Sequence, residues 1–334
     1  MNSNCCHCSQ EFTCGIIYGQ KICWCNRTNI NLTVKNCLCP KCIKLDFSKF
    51  IIKKKTWRFL VAYNGTRYHG WQCQGKLPTI ELELKKALLR ITGQKISLTV
   101  AGRTDSGVHA SGQVVSCTFS SRFYAEKLIL AFNAVLPLDI AIWRIDEMPQ
   151  SFNAKLQNIG KRYIYRINTS LVRNVFLNDQ TWHICKKINL KKMKEAAKYF
   201  IGEHDFHSFR SINCDSFNAY RYLWLLNIKK KSSIIEIDIR GNAFCYNMIR
   251  IIVGTLIKIG LNKLVPNEIK NILKSKNRQL AGETAPAKGL TIEEVYYPDL
   301  MKNTLLPSNA KFPRYPVTLK TWGYDNSQIK IGQV

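Results

Sequence analysis

The stretch Val100–Gly112 reads VAGRTDSGVHASG. It sets glycines, one arginine, one aspartate and one histidine between two alternating apolar runs, KISLTV before it and GQVVSCTF after it. Both flanks have period two, the period of a half-buried strand. The stretch therefore lies between two strands, not between a strand and a helix. A nucleotide-binding loop needs GxxxxGK[ST], or GxGxxG running into a helix N-terminus, and Gly102, Gly107 and Gly112 fit neither spacing. Two readings stay open. Gly102 and Gly107 permit unusual backbone angles, and Asp105-Ser106-Gly107 is ordinary turn chemistry. Alternatively, Arg103 and Asp105 lie two apart in a strand-like stretch and share a face, where the arginine holds the carboxylate ionised. Such a carboxylate in a basic groove is a nucleophile or an electrostatic stabiliser.

The wider composition favours a polyanionic partner. The 334 residues carry 50 Lys and Arg against 22 Asp and Glu, a formal charge of +28. Each phosphate that such a surface neutralises releases counterions. A nucleotide-composition bias toward Lys, Asn and Ile would raise the charge without any selection for binding. The 46% apolar content supports a packed core and excludes a disordered chain. The most apolar run, Met248 to Gly260, is interrupted by Arg250 and Lys258 and is too short to span a bilayer. No signal-peptide pattern is visible at the N-terminus, and a cytoplasmic protein is expected.

Nine of the 14 cysteines fall in the first 42 residues, with Cys5/Cys8 and Cys39/Cys42 in CxxC spacing. Two such pairs admit a zinc module, although the gap between them exceeds that of the usual ribbon. A disordered extension, or upstream sequence read from a misplaced start, accounts for the same composition. The other five cysteines are scattered, as in a reducing compartment.

Beyond residue 55 the pattern becomes regular. WRFLVAYNG (Trp57 to Gly65) reads as a strand closing on an Asn-Gly turn. TIELELKKALLRITG places Leu84, Ala87, Leu88 and Ile91 on one helical face, with Gly93 as a stop. KRYIYRIN (Lys161 to Asn168) reads as a strand, and NLKKMKEAAKYFIG as a helix. YLWLLNIKKKSSIIEIDIRG reads as two strands about a polar turn. FCYNMIRIIVGTLIKIG is an apolar helix, and VPNEIKNILKS starts a short one at Pro266. Strand, helix and strands thus occur once before residue 160 and again after it, which predicts two similar α+β halves around an extended sheet.

The motifs, in order, resemble those of the tRNA pseudouridine synthase A (TruA) family. AGRTDSGVHASGQV is similar to its signature loop, YNGTRYHGWQ to its N-terminal strand and loop, and NAVLPLDIAI to its domain-joining segment. KRYIYRI matches its Arg-Tyr-x-Tyr strand, and GEHDFHSF its central loop. GNAFCYNMIRIIVGTL resembles its second-domain helix, and AGETAPAKGLTIEEVYYP its C-terminal signature. The resemblance covers Trp57 to Pro298. It implies the pseudouridine synthase fold: two α+β halves, 56–160 with the GRTD loop and 161–300, sharing an extended mixed, mainly antiparallel sheet with flanking helices. Residues 1–55 form a cysteine-rich extension, disordered or zinc-binding, and 301–334 a tail. Both lie outside the match.

The resemblance also implies a reaction. The family isomerises uridine to pseudouridine in the anticodon stem-loop of tRNA, on its 3′ side, with no cofactor and no metal. The target base must leave its stack, at a cost of a few kcal/mol. Carried onto this chain, Asp105 is the catalytic carboxylate and nucleophile, attacking the ribose or assisting proton removal from it. Arg103 pairs with Asp105 or with a phosphate, and Arg250 is a second active-site cation, placed beside the aspartate. Tyr163 stacks on the flipped base, a choice over Tyr165 that only the resemblance makes. His109 contacts RNA or braces the loop, and bracing is preferred. The chain departs from the family pattern at Asn153, Lys155, Asn247, Ile251, Glu283 and Lys288, which bears on fine RNA contacts and leaves Asp105, Arg103, Tyr163 and Arg250 in place. The expected partners are tRNA and a second copy of the chain, with no membrane. The alternative is a non-catalytic RNA-binding protein or RNA chaperone that kept the fold.

Overall fold

The computed structural model describes residues 2–4, 11–13, 54–121, 123–212, 214 and 216–298. The CxxC pairs and the tail from 301 therefore lie outside the described residues. Two short strands, β1 (Asn2–Asn4) and β2 (Glu11–Thr13), pair antiparallel and belong to a unit separate from the one that carries the main sheet.

The main unit is α+β. It contains β3 (Lys54–Tyr63), α1 (Ile80–Thr92), β4 (Thr99–Val100), β5 (His109–Ser120), α2 (Ala125–Val135) and β6 (Ile140–Met148). It continues with β7 (Gly160–Asn168), β8 (Trp182–His183), α3 (Leu190–Ala197), β9 (Gly202–Asp205), β10 (Tyr220–Lys231) and β11 (Ile234–Gly241). The last elements are α4 (Met248–Gly260), α5 (Glu268–Ser275) and β12 (Leu290–Tyr296). The main path of the sheet runs β6-β3-β5-β12-β7-β11-β10-β9.

The order explains how the halves join. The strands of the first half occupy one end of the sheet, and those of the second half the other. Strand β12, last in sequence, lies between them. It pairs parallel with β5 at Thr291↔His109 and antiparallel with β7 from Leu290↔Tyr165 to Tyr296↔Gly160. The C-terminal signature thus places the loop strand β5 next but one to the tyrosine strand β7.

Local rules account for the helices. In α1, Thr79 caps the N-terminus by accepting from Leu82 N–H, and Gly93 ends the helix at φ +68°. The face carrying Ile80, Leu84, Ala87 and Leu88 is buried, as the 3.6-residue period requires. Helix α4 is buried nearly all round, with α3, the 207–209 turn and the 281–285 segment packed on it. Between β10 and β11 the turn is Ser232-Ser233, with Ser232 at φ +53°.

Two sequence expectations are corrected. KISLTV forms a ladder only at Thr99–Val100, opposite Ser116 and Val115. Ile96 still packs into the core, so the alternation recorded burial without backbone pairing. The 190–202 helix stops at Ala197 and tightens into a 3₁₀ turn at Lys198–Phe200.

Candidate active site

The loop 101–108 is built by its neighbours. After β3, Asn64 accepts from Thr66 N–H, and the chain enters a 3₁₀ turn at Gly65–Arg67. The segment that follows clasps the loop. Tyr63 Oη meets Thr104 Oγ1 at 2.8 Å, and Trp71 N–H donates to Thr104 O at 3.0 Å. Tyr68 O accepts from Gly107 N–H and from Ser106 Oγ, each at 3.3 Å. From β5, Gln113 Nε2 donates to Gly102 O at 2.8 Å, which draws the chain out of the sheet after β4. Gly107 sits at φ +76°, a left-handed backbone suited to glycine. Gly70 is needed for closeness as well: a Cβ there would stand 2.6 Å from Thr104 O.

This clasp turns Asp105 into a cleft of ≈1110 Å³ that also receives Arg250, Tyr163, Phe244 and Lys161. Asp105 Oδ2 lies 3.6 Å from Arg250 Nη1. Arg250 is held from two further sides: Nε donates to Ala285 O at 2.7 Å, and Nη1 to Asn247 Oδ1 at 2.8 Å. Asn247 itself stands at φ +59°, just before α4. Burial raises the Asp105 carboxyl above the usual aspartate range, and Arg250 pulls it back only in part. The result is a desolvated carboxylate, more basic than an exposed one, with one guanidinium beside it.

Arg103 does not share in this pair. The strand ends at Val100, so residues 103 and 105 lie outside it and strand alternation does not pair them. Arg103 is exposed, lines the cleft, and makes no ion pair among the described residues. The cation that faces Asp105 comes from α4, about 145 residues along the chain.

The choice between the two tyrosines of β7 is visible in their surroundings. Tyr163 lines the cleft and meets Phe244 edge-to-face at 5.2 Å. Its phenol is pushed above the usual range, first by burial, then by Tyr63 and Asp105. It is therefore a neutral ring and hydroxyl at physiological pH. Tyr165 is fully buried, and its hydroxyl donates to Pro286 O at 2.7 Å. It anchors the C-terminal signature instead.

His109 braces. Gly65 N–H donates to Nδ1 at 3.1 Å, so Nε2 carries the proton and donates to Lys288 O at 3.1 Å. Burial lowers its pKa first of all, consistent with a neutral ring whose two nitrogens are both committed. It ties the end of β3 to the C-terminal signature.

Two contributors escaped the sequence reading: Tyr63 and Gln113 position the loop. Asn247, read from the sequence as a departure that bears on RNA contacts, positions Arg250. Lys161 also lines the cleft and was not singled out; its spacing of two from Tyr163 on one strand was the signal that could have found it. Among the described residues, no group of three or more His, Cys, Asp or Glu is arranged to hold a metal ion.

A protein-family model described as tRNA pseudouridine synthase matches residues 196–298. The tRNA pseudouridine synthase A of Acetivibrio thermocellus is 39% identical over 240 residues, covering 72% of this chain and 98% of its own length. That of Thermoanaerobacter sp. strain X514 is 41% identical over 238 residues, with 71% and 98% coverage. That of Blochmanniella pennsylvanica is 41% identical over 238 residues, with 71% and 91% coverage.

Proposed function

This chain belongs to the tRNA pseudouridine synthase A family and isomerises uridine to pseudouridine in tRNA, and from that premise we propose that Asp105 carries the reaction at the ribose. The overall change breaks the bond from ribose to a ring nitrogen of uracil and remakes it to a ring carbon. Atoms and electrons balance within one nucleotide, so no co-reactant is consumed. The observation that carries the proposal is the convergence of Asp105, Arg250 and Tyr163 from a loop, a helix and a strand on one cleft.

Asp105 attacks the ribose or assists removal of a proton from it. Either role gains from a carboxylate made more basic by burial yet kept paired. Arg250 supplies preorganised positive charge where charge changes during bond exchange. Tyr163 offers a ring face to the uracil once it has left its stack. Arg103, exposed and without an ion pair among the described residues, is placed to meet a phosphate as RNA enters.

The proposal extends to the substrate position, which we take to be the 3′ side of the anticodon stem and loop, following the family. A homodimer in the cytoplasm, working without metal or cofactor, completes the reading. Leu171, Val172, Val175 and Phe176, all exposed on one loop, support a protein partner. We also treat 56–160 and 161–300 as the two functional halves, flanked by the extension 1–55 and the tail 301–334.

The test is conversion of anticodon-arm uridine by purified full-length protein, read by pseudouridine mapping. Asp105→Asn is expected to abolish conversion while RNA binding persists. An Asp105→Asn protein with full activity would overturn the assignment.

A further inference from the structure

We propose that Lys161 is a recognition residue of the same site, whose ammonium takes a backbone phosphate beside the uridine that enters the cleft. This rests on the reading of Asp105 as the reacting carboxylate. Lys161 and Tyr163 are two apart on β7, so they share a face at about 6–7 Å along the strand. Both line the cleft that holds Asp105 and Arg250. The lysine stem passes beside Gly102, where a Cβ would lie 2.7 Å from its Cε, so the signature loop sits against it.

What is missing around Lys161 is an anion. The residue is 8% exposed, and its ammonium donates to a neutral partner, Asn158 Oδ1 at 2.8 Å. Among the described residues no carboxylate pairs with it, and Asp105 is already taken by Arg250. A second buried cation stands close enough to act on it electrostatically. Arg221 is 7% exposed; its Nη1 donates to the neutral Tyr220 O at 2.6 Å and Asn218 Oδ1 at 3.1 Å, its Nε has no hydrogen-bond partner among the described residues, and no carboxylate there pairs with it. Lysine and arginine are rarely buried unless paired. A chain that buries two of them behind an RNA-processing cleft is arranged for an anion that arrives with the substrate.

Charge on this group is conditional. Burial, and then repulsion from Arg221, push the ammonium down to about 8. A phosphate would draw it back up, so binding above that pH takes up a proton. Arg221 from β10 acts on it directly, and the other charged or titratable groups lining the same cleft are Asp105 and Arg103 from the loop, Tyr163 on its own strand, Lys155 before β7, His69 and Glu81 around the N-terminus of α1, Tyr246 and Arg250 at the start of α4, and Cys245 with Cys214. Of these, Cys214 also needs control. Burial raises its thiol, but hydrogen bonds from Ser216 and Tyr246 N–H and the charge of Arg210 lower it overall.

The experiment measures equilibrium binding of an anticodon-arm RNA hairpin to full-length protein carrying Asp105→Asn and Cys214→Ser, so that neither turnover nor the thiol contributes. Hairpins with a single uncharged methylphosphonate 5′ or 3′ of the target uridine are bound in parallel. For the parent, affinity is expected to be about eight-fold weaker at pH 9 than at pH 7.5. Lys161→Arg should bind with no such pH dependence. Lys161→Met should bind more weakly at pH 7.5, without pH dependence, with a log–log salt slope smaller by about 0.7. It should also be indifferent to the methylphosphonate that weakens the parent. The proposal is overturned if Lys161→Met or Lys161→Arg keeps the parent's pH dependence, or if every variant is equally sensitive to both methylphosphonates. A purely structural lysine would give that second result. If the protein with Asp105→Asn alone still converts uridine, it is the assignment of Asp105 that fails, and that assay is separate from binding.

Discussion

Replacing Gly254 by alanine would disturb the cleft from behind. Gly254 lies one turn after Arg250 on α4, and a Cβ there would stand 1.9 Å from Glu283 O. From the other side, a Cβ on Gly282 would stand 2.5 Å from Thr255 N. The helix and the 281–285 segment therefore meet backbone to backbone. Three hydrogen bonds tie them: Gly282 N–H to Thr255 Oγ1 at 2.8 Å, Ala285 N–H to Arg250 O at 3.1 Å, and Arg250 Nε–H to Ala285 O at 2.7 Å. To reach ordinary contact the segment must retreat by about 1.5 Å, because backbone cannot swing aside as a flexible side chain does. Overpacking of this kind costs about 1–3 kcal/mol. The retreat also carries away Ala285 O, which orients the guanidinium beside Asp105. A displacement of about 1 Å at a reacting centre costs on the order of 10²-fold in rate. Gly254→Ala is thus expected to lower the thermal midpoint by several degrees and single-turnover conversion by about 10²-fold. Gly93→Ala is the control: it forces a left-handed alanine at φ +68° in open space, away from the cleft. It should cost about 1–2 kcal/mol and leave conversion unchanged. A Gly254→Ala protein that loses stability but converts uridine at the normal rate would refute the idea that Arg250 is positioned through Ala285.

Arg250→Met removes the cation that holds Asp105 down, so the acid limb of the pH–rate profile should move to higher pH; conversion should fall by about 10²–10³-fold, and an unmoved acid limb would count against the pair. Tyr163→Phe should keep most RNA affinity and Tyr163→Leu should lose about 1–3 kcal/mol of it, measured by equilibrium binding, because the ring face is the feature used. Lys161 binds its proton less tightly in the folded chain, at about 8, than at its ordinary 10.5, so the unfolded chain holds more protons between these values. Folding stability should therefore rise from pH 8 to 10.5 by up to about 3 kcal/mol, and Lys161→Met should flatten that rise in denaturant titrations. Leu84→Ala, at a fully packed α1 position, should cost about 2–5 kcal/mol with the active-site chemistry intact.

The helices and most strands were legible because their signals are local. Thr79 and Gly93 bound α1, and the burial of Leu84, Ala87 and Leu88 follows from a 3.6-residue period within the same window. KISLTV misled for the same reason: alternation reports which side chains are buried and is silent on whether the backbone finds a partner. The position of β12 between the two halves could not be read, since a strand's neighbours depend on pairings across nearly 200 residues of chain.

By itself, the sequence determined that a glycine-rich loop carrying one aspartate joins two strands in a basic chain, and its ordered motifs identified the family. Local geometry offered Arg103, two residues away, as the partner of that aspartate, while the family resemblance placed Arg250 beside it. The tertiary structure chose Arg250 instead, because the clasp of Tyr63, Trp71 and Gln113 bends the loop out of strand geometry, and β12 brings the loop and α4 to one cleft. Charge pairing is settled by distance in space, and that distance exists only once the sheet has formed.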